Sequence, residues 1–549
     1  MGKCHSCFTT TQNGFLGYKN LKITKQLTFK VRDKRQQKGI HNINNDNNNI
    51  SLSTEFNGVT SDHLNAIPKL QLTSPGQTNF SLDMNHLEES ELILESKYSD
   101  LVIPSNTTLS NFLINEFKKI GDKEAVIDIA QSKTFTYPNL LTLSRNVCSS
   151  ILTYEIKQGD GVALLLPNCC ESVCIFIGVI GGGGTVIFIN LESNDEEIEF
   201  QLLKSAPRFV FTTMKQEERI KAISESVKSI EQIFVLFGES KYCITYAQFL
   251  SEADPTVIAR TKLSVEPKTD IAAIFFTRGR TSGTARGVML SHYNIIANLY
   301  QIRVMYDIHS NDQIFSTIPM HTTYGFVIST LYSLIQGSAL YLLPDFQPAL
   351  FLETIQKGKI SHIYMTPDTA NLINEDSSMA NCDFSHVKEI IFGTDLPTSH
   401  LVEEIRAKYK TLKDIRFSFS MTELSPISHV TPPKSSRVGS FGVVLPNTLC
   451  KLLAVESKEL LGPNRKGQMC LKGPQVFIGY LNDEAATAKV LGADGWFYTD
   501  DVVYYDKEQH FYYVSPISDY IKMKEQGKPS ITPQEIQETR EEYGVHTKF

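Results

Sequence analysis

The apolar run VCIFIGVIGGGGTVIFI, from Val173 to Ile189, is interrupted by four consecutive glycines. The run is close to the length of about 20 residues that a membrane-spanning helix needs. Gly181 to Gly184 argue against such a helix, because consecutive glycines favour a turn and weaken helical structure. The run therefore predicts a buried helix, a glycine turn and a buried strand.

The flanking segments extend this alternation of helices and strands. GVALLLPN, from Gly161, and RFVFTT, from Arg208, are short apolar runs typical of buried strands, and DEEIEFQLLKSA, from Asp195, begins as an acidic helix. Strands that alternate with helices predict a mostly parallel sheet covered on both faces, and thus an α/β fold. After Ser435 the short strand-like segments predict a small antiparallel unit.

Composition sets limits on the class of protein. The chain has 549 residues, of which 41% are hydrophobic and 21% charged, as in ordinary globular proteins, and length alone suggests more than one core. The formal net charge of −7 gives no reason to expect a nucleic-acid partner. The ten cysteines are scattered, and no second pair completes a zinc pattern with Cys169-Cys170 or Cys4-x-x-Cys7. These features favour a reducing, cytoplasmic location, and we predict no transmembrane segment.

The first hundred residues differ from the rest of the chain. HNINNDNNN, from His41 to Asn49, is polar and of low complexity, so residues 1–100 are predicted to form a largely unstructured extension. The opening MGKCHS fits N-myristoylation at Gly2, and Cys4 and Cys7 are potential palmitoylation sites, which together predict peripheral membrane contact. Two alternatives remain open, namely a chance match in a disordered tail and a mitochondrial presequence.

Three segments in order resemble the adenylate-forming superfamily, and most closely its 4-coumarate:CoA ligase and luciferase-like branch. They are residues 162–213, the stretch FFTRGRTSGTARGVMLSH from Phe275 to His292, and the long segment from Gly467 to Asp506. The resemblance implies a large adenylation domain of two βα layered sheets and a small distorted β-barrel. It assigns residues 101–514 to this domain and residues 515–549 to a remnant of a mobile C-terminal subdomain, which in full would have on the order of 100 residues.

The resemblance also implies an activity. Members of this superfamily form an acyl-adenylate from a carboxylic acid and ATP with Mg²⁺, and then usually transfer the acyl group to coenzyme A. Such chemistry needs donors around the phosphates, a carboxylate for Mg²⁺, an anchor for the ribose and a positioned cation.

The first candidate site is the phosphate loop, which in the family reads approximately Ser-Gly-Thr-Thr-Gly-x-Pro-Lys-Gly. Here the loop is one residue longer, Ala285 replaces proline, and Arg286 replaces lysine as the catalytic cation. Arginine can hold phosphate through a bidentate fork but is not interchangeable with lysine. Taken alone, the stretch would be read as a basic turn between a strand and a helix. The remaining predicted phosphate-binding residues of the loop are Thr281, Ser282, Gly283, Thr284 and Gly287.

The second candidate site is FSFSMTEL, Phe417 to Leu424, which resembles the family's Tyr-Gly-x-Thr-Glu. The resemblance implies that Glu423 ligates Mg²⁺, that Thr422 contacts phosphate and that Phe419 lies against adenine. Phenylalanine keeps the stacking face and lacks the hydroxyl group of the family's tyrosine. Ser420 replaces glycine and is expected to narrow the space beside the nucleotide.

Two further loops are implied to complete the nucleotide and acyl sites. IIFGTDLP, from Ile390, aligns with the loop that lines adenine and the acyl pocket, where Gly393 is retained and Thr394 replaces a small apolar residue. In GWFYTDDV, Asp501 matches the carboxylate that accepts hydrogen bonds from the ribose hydroxyls. In IPMHTTYGF the family's pocket histidine aligns with Thr322, and the adjacent His321 is predicted to be an ordinary half-buried histidine.

The C-terminal part departs most from the family. Ser515-Pro516 replaces the hinge Asp-Arg pair, and Lys522 aligns with the lysine of the thioester-forming conformation. The family's second C-terminal lysine, which stabilises the adenylation transition state, is not matched before Phe549, and the final residues do not form a peroxisomal address. Three functions remain open: a weakened acid:CoA ligase, a catalytically impaired protein that binds nucleotide or acyl ligands, and an adenylating oxygenase of luciferase type.

Overall fold

The computed structural model describes residues 89–278, 285–343, 346–376, 378, 382–434, 437 and 439–526. Predictions for Gly2, Cys4 and Cys7, for residues 281–284 and for residues 527–549 lie outside the described residues. The lipidated N-terminus, the mitochondrial alternative and the C-terminal address therefore stay predictions. In the described part of the chain, no helix is long and apolar enough to cross a membrane.

The helices of the described residues are mostly short. They are α1 Leu109–Ile120, α2 Tyr137–Thr153, α3 Cys170–Gly181, α4 Asp195–Ser205, α5 Glu217–Ser224, α6 Tyr246–Ser251, α7 Pro255–Arg260, α8 His292–Ile302, α9 Ser333–Ile335, α10 Pro348–Gly358, α11 Pro367–Glu375, α12 Ser399–Lys408, α13 Glu484–Val490 and α14 Ile517–Glu525. A π-helix, Tyr324–Tyr332, leads into α9, and Thr422–Leu424 forms one turn of 3₁₀-helix.

The strands belong to three sheets. They are β1 Leu94–Glu95, β2 Glu124–Asp128, β3 Lys133–Thr136, β4 Gly161–Leu164, β5 Thr185–Phe188, β6 Phe209–Thr213, β7 Gln232–Leu236, β8 Ile244–Thr245, β9 Ile271–Arg278, β10 Ala285–Ser291, β11 Gln313–Ser316, β12 Ala339–Leu342, β13 His362–Met365, β14 Glu389–Phe392, β15 Asp414–Arg416, β16 Ser418–Ser420, β17 Ile427–Val430, β18 Ser440–Val444, β19 Leu449–Leu453, β20 Gly467–Lys472, β21 Gly479–Tyr480, β22 Phe497–Tyr505 and β23 Phe511–Pro516.

Two of the sheets are mixed and mostly parallel. The first has the order β21-β10-β9-β5-β4-β6-β7-β8, in which only β21 and β10 run antiparallel to their neighbours. The second has the order β15-β14-β13-β11-β12-β2-β3, in which only β3 is antiparallel. Helices joining adjacent parallel strands produce this arrangement. The predicted α/β fold class is confirmed.

The glycine-interrupted run forms the centre of the fold. Every residue of α3 from Cys170 to Ile180 is buried, and the helix packs between β5 of the first mixed sheet and β2 of the second. Gly183 has φ +85° in the turn before β5, a conformation that glycine adopts without strain. The predicted sequence of helix, turn and strand is confirmed, and the run belongs to the core.

The third sheet is antiparallel throughout, with the order β1-β19-β20-β22-β23-β18-β17-β16. It confirms the antiparallel unit predicted after Ser435. Residues before 101 and after 514 also belong to this sheet. Leu94 is buried and pairs with Cys450, so the chain joins the sheet before residue 101, and β23 continues through Ser515 and Pro516.

Candidate active site

Two described strands, β9 and β10, flank the predicted phosphate loop in the chain. Strands β9 and β10 are antiparallel, and their last pair joins Arg278 to Ala285. The pair brings the two ends of residues 279–284 together. Thr281, Ser282, Gly283 and Thr284 lie in this connection, outside the described residues, so their phosphate contacts stay a prediction.

Arg286 and Gly287 lie near the start of β10, paired with Thr277 and Phe276 of β9. Gly287 is buried, and a β-carbon on it would lie 3.1 Å from Cγ2 of Ile274 and 3.2 Å from Cβ of Leu481. The amide of Leu481 donates to the carbonyl of Gly287 over 2.7 Å. The missing side chain of Gly287 therefore serves the close approach of β21, which places Tyr480 opposite Val288.

Tyr480 joins two of the predicted site residues. The guanidinium carbon of Arg286 lies 5.2 Å from the centroid of the Tyr480 ring, within cation–π range. The Tyr480 hydroxyl donates a hydrogen bond of 2.8 Å to Oε1 of Glu423. Tyr480 itself is 5% exposed. The predicted phosphate-binding cation and the predicted magnesium ligand thus contact one buried tyrosine.

The charge state of Tyr480 follows from this environment. Burial raises the pKa of Tyr480, the Glu423 carboxylate adds to the rise, and Arg286 opposes it. The phenol is consequently protonated at neutral pH and acts as the donor to Glu423. Sequence reasoning missed this residue, although it lies within the quoted segment from Gly467 to Asp506.

Backbone contacts hold Glu423 in place. Thr422 and Glu423 occupy the 3₁₀ turn, Glu423 is buried, and its carbonyl accepts a hydrogen bond of 2.9 Å from the amide of Phe477. Among the described residues, no group of three or more histidine, cysteine, aspartate or glutamate side chains could hold a metal ion. A single carboxylate still fits Mg²⁺, which usually binds through one or two carboxylates together with waters and substrate phosphates.

Phe419 is predicted to lie against adenine. The structure places its ring in an aromatic cluster, 5.1 Å from the ring of Phe441 and 6.2 Å from the ring of His429. The side chain is 8% exposed, so most of its surface is already covered by protein. The adenine contact stays a prediction, and it would have to use the small remaining surface.

Gly393 and Thr394, which are predicted to line adenine and the acyl pocket, directly follow β14. A β-carbon on Gly393 would lie 2.8 Å from Cζ of Tyr324 and nearer still to two other atoms of that ring. Tyr324 is therefore packed directly on the Gly393 backbone. Thr394 has φ +76°, which is strained for a β-branched residue, and such strain is found preferentially at functional sites.

The two residues near the family's pocket-histidine position have different surroundings. The Thr322 hydroxyl donates to the carbonyl of Pro319 over 2.7 Å and accepts from the amide of Gly325 over 3.0 Å, so it stabilises the start of the π-helix. His321 is partly buried, as predicted, and burial lowers its pKa to about 4. It is neutral at physiological pH.

Asp501 belongs to a separate contact group in the antiparallel sheet. It lies in β22, is 1% exposed, and accepts a hydrogen bond of 3.2 Å from the hydroxyl of Tyr513 in β23. In the pairing of β22 with β23, Asp501 lies opposite Pro516, and Val502 lies opposite Ser515. The residues predicted to replace the family's hinge pair thus lie in a strand beside the predicted ribose anchor, next to a register shift between Val502 and Val503.

Lys522 lies on α14, which begins directly after Pro516 and has no buried residue. Its side chain is 70% exposed, and Nζ lies 3.6 Å from Oδ1 of Asp519. The role of Lys522 in thioester formation stays a prediction.

Comparison with known proteins identifies the family. The model of the family described as AMP-binding enzyme matches residues 115–481. The chain belongs to the AMP-binding enzyme family. This match spans both mixed sheets and ends one residue after Tyr480. The relatives support an acyl-CoA ligase type of function.

A probable 4-coumarate–CoA ligase of Dictyostelium discoideum is 29% identical over 443 residues, covering 78% of this chain and 80% of the relative. Two solved structures share the fold. The anthranilate CoA ligase AuaEII, in complex with anthranoyl-AMP, has a TM-score of 0.69 at 17% identity, covering 76% of this chain and 79% of its own. A long-chain-fatty-acid-CoA ligase of Archaeoglobus fulgidus has a TM-score of 0.69 at 22% identity, covering 79% and 90%.

Proposed function

We propose that this chain is an ATP-dependent carboxylic acid:CoA ligase that forms an acyl-adenylate and then an acyl-CoA, at a low rate. The observation that carries the proposal is the contact of Arg286, near the start of β10, and of Glu423 with one tyrosine. A cation at this position can bind the phosphates of a nucleoside triphosphate, and a carboxylate can bind its metal ion. The ligase relatives support the same reaction.

Each residue has a distinct part in the proposal. Bound ATP with Mg²⁺ would supply an activated phosphorus. The carboxyl oxygen of the acid becomes bonded to AMP, which is a good leaving group. Arg286 holds phosphate oxygens through its planar fork, Glu423 holds the metal ion and Thr422 contacts phosphate. Asp501 accepts hydrogen bonds from the ribose hydroxyls. The hydroxyls of residues 281, 282 and 284 would add donors to the phosphates.

The acid and the thiol are assigned by chemical class only. Gly393 and Thr394 are proposed to line the adenine and acyl sites, and Lys522 to act when coenzyme A attacks. The names of the relatives suggest 4-coumarate and anthranilate as first acids to test, and long-chain fatty acids as a second class.

The test is acid-dependent exchange of radioactive pyrophosphate into ATP, which measures adenylate formation alone. We expect measurable exchange that is far slower than that of a plant 4-coumarate–CoA ligase, and we expect Glu423→Gln to lower it by at least about tenfold, since a metal site loses that much even when an outer partner is removed. Glu116→Gln is the matched control, because Glu116 pairs with Lys119 and Arg303 on α1 and α8. Equal exchange in wild type and Glu423→Gln would contradict the assignment.

A second function, binding of nucleotide or acyl ligands without turnover, is favoured by one observation. Strand β23 includes Ser515 and Pro516, where the family is predicted to have its hinge pair, and leads directly into the helix that carries Lys522. Calorimetry separates the two proposals. Binding of Mg-ATP without exchange for any tested acid would support the binding protein, whereas brisk exchange would eliminate it.

A further inference from the structure

The structure joins Arg286, Tyr480 and Glu423 by three independent features. The first is the ring of Tyr480 beneath the Arg286 guanidinium, and the second is its hydroxyl bond to Glu423. The third is the pairing of β21 with β10, which sets Tyr480 opposite Val288 and so fixes its backbone beside the hairpin. A tyrosine that served only the core would need neither of the charged contacts.

The ring and the hydroxyl of Tyr480 have separate effects. The aromatic face attracts a cation through the ring quadrupole, and it restricts the long arginine side chain to one region. The hydroxyl donates to a carboxylate and so orients it. One residue therefore sets the positions of two groups of opposite charge.

We propose that Tyr480 is a positioning residue that presets the Arg286 guanidinium for phosphate and the Glu423 carboxylate for Mg²⁺ before the nucleotide binds. The inference rests on the proposed function, because it assigns a role within the same site. It also accounts for arginine where the family has lysine, since a planar guanidinium stacks on an aromatic ring better than an ammonium group does. Tyr480 contacts the ligand-binding groups and acts through them.

The two contacts are separable by substitution. Tyr480→Phe removes the hydroxyl and keeps the ring, and Tyr480→Leu removes both. Tyr137→Phe is the matched control, because the buried Tyr137 hydroxyl donates at 2.9 Å to the carbonyls of Leu334 and Ser338. Unfolding curves of all variants establish the folded fraction used in each measurement.

The measurement is calorimetric titration of the full chain with ATP at a series of Mg²⁺ concentrations. For Tyr480→Phe we expect the Mg²⁺ concentration for half-maximal ATP binding to rise about tenfold, with ATP affinity at saturating Mg²⁺ within about twofold of wild type. For Tyr480→Leu we expect an additional threefold to tenfold loss of ATP affinity at saturating Mg²⁺. Arg286→Met should lower ATP affinity less in the Tyr480→Leu background than in wild type, because the pair has already been broken.

The outcomes separate this inference from the ligase proposal. A Mg²⁺ midpoint for Tyr480→Phe within twofold of wild type, in a wild type that binds Mg-ATP, overturns the positioning role and leaves the ligase proposal intact. The expected shifts in a protein without pyrophosphate exchange support the positioning role and overturn the ligase. A wild type that fails to bind Mg-ATP overturns both.

Discussion

Gly393 and Tyr324 show how one residue type is required by its neighbour. The Tyr324 ring occupies the space that any side chain at position 393 would need. Its hydroxyl lies 3.3 Å from that of Tyr306 and 3.5 Å from that of Ser418, so the ring is held in place by polar contacts as well as by burial. The loop that follows β14 therefore depends on glycine for packing, whatever its role toward a ligand.

We predict that Gly393→Ala destabilises the protein by about 1–3 kcal/mol, the usual effect of overpacking a core. Chemical denaturation measures this change. Gly358→Ala is the control, because its β-carbon would lie 3.3 Å or more from its neighbours at the end of α10, where alanine favours the helix. Equal stability of the Gly393→Ala variant and wild type would mean that Tyr324 moves aside without cost.

At the scale of elements, β23 carries Ser515 and Pro516, which are predicted to replace the family's hinge pair. Ser515 is buried in the strand beside Asp501. Its hydroxyl has no hydrogen-bond partner among the described residues. A buried hydroxyl without a partner costs free energy, so the strand is formed in spite of this residue.

We predict that Ser515→Ala increases the free energy of unfolding by about 1 kcal/mol, because it removes an unsatisfied buried group. Ser440→Ala in the neighbouring strand β18 is the matched comparison, for which the opposite change in stability is expected. The Ser440 hydroxyl is equally buried, donates to the carbonyl of Phe511 over 2.9 Å and accepts from the amide of Gly442 over 3.0 Å. It should destabilise by about 1–2 kcal/mol. Denaturant titration of both variants tests the pair, and a destabilised Ser515→Ala would show that the hydroxyl has a partner.

At the scale of the whole molecule, buried neutral histidines make the stability of the protein depend on pH. Burial lowers the pKa of His292 and of His362 to about 4 and that of His429 to about 3, from an ordinary value of 6.5. In the unfolded chain these groups take up protons below pH 6.5, whereas in the folded protein they do so only near pH 3–4. Stability is therefore complete above pH 6.5 and is lost as the pH falls from 6.5 toward 4.

We predict that each such histidine lowers the free energy of unfolding by about 1.4 kcal/mol per pH unit within this window. His292→Gln tests one of them. Nδ1 of His292 accepts a hydrogen bond from the amide of Leu109 over 3.2 Å, which glutamine can replace without titrating. Urea unfolding between pH 7.5 and 5 should show a shallower dependence for this variant than for wild type or for His309→Gln, which changes an exposed histidine. An unchanged slope would contradict the prediction.

Local pattern was sufficient for the elements that bury one continuous apolar run. The helix, glycine turn and strand from Val173 to Ile189 and the strands of residues 161–164 and 209–213 all form where the pattern predicts them. Their side chains have no alternative to the core, so periodicity and glycine content determine them. The order of motifs along the chain was likewise sufficient to predict the family, because such an order reflects descent.

The tertiary structure decided which residues contact each other. Tyr480, Arg286 and Glu423 are far apart in the chain and meet only because β21 pairs with β10 and the 3₁₀ turn packs beside them. The packing of Tyr324 on Gly393 and the continuation of β23 through Ser515 also depend on strand pairing between distant segments. The sequence by itself determined the fold class, the family and the candidate residues, since these depend on local pattern and motif order. The tertiary structure decided their partners, because a hydrogen bond or ring contact depends on distances of a few ångströms between segments that no local pattern relates.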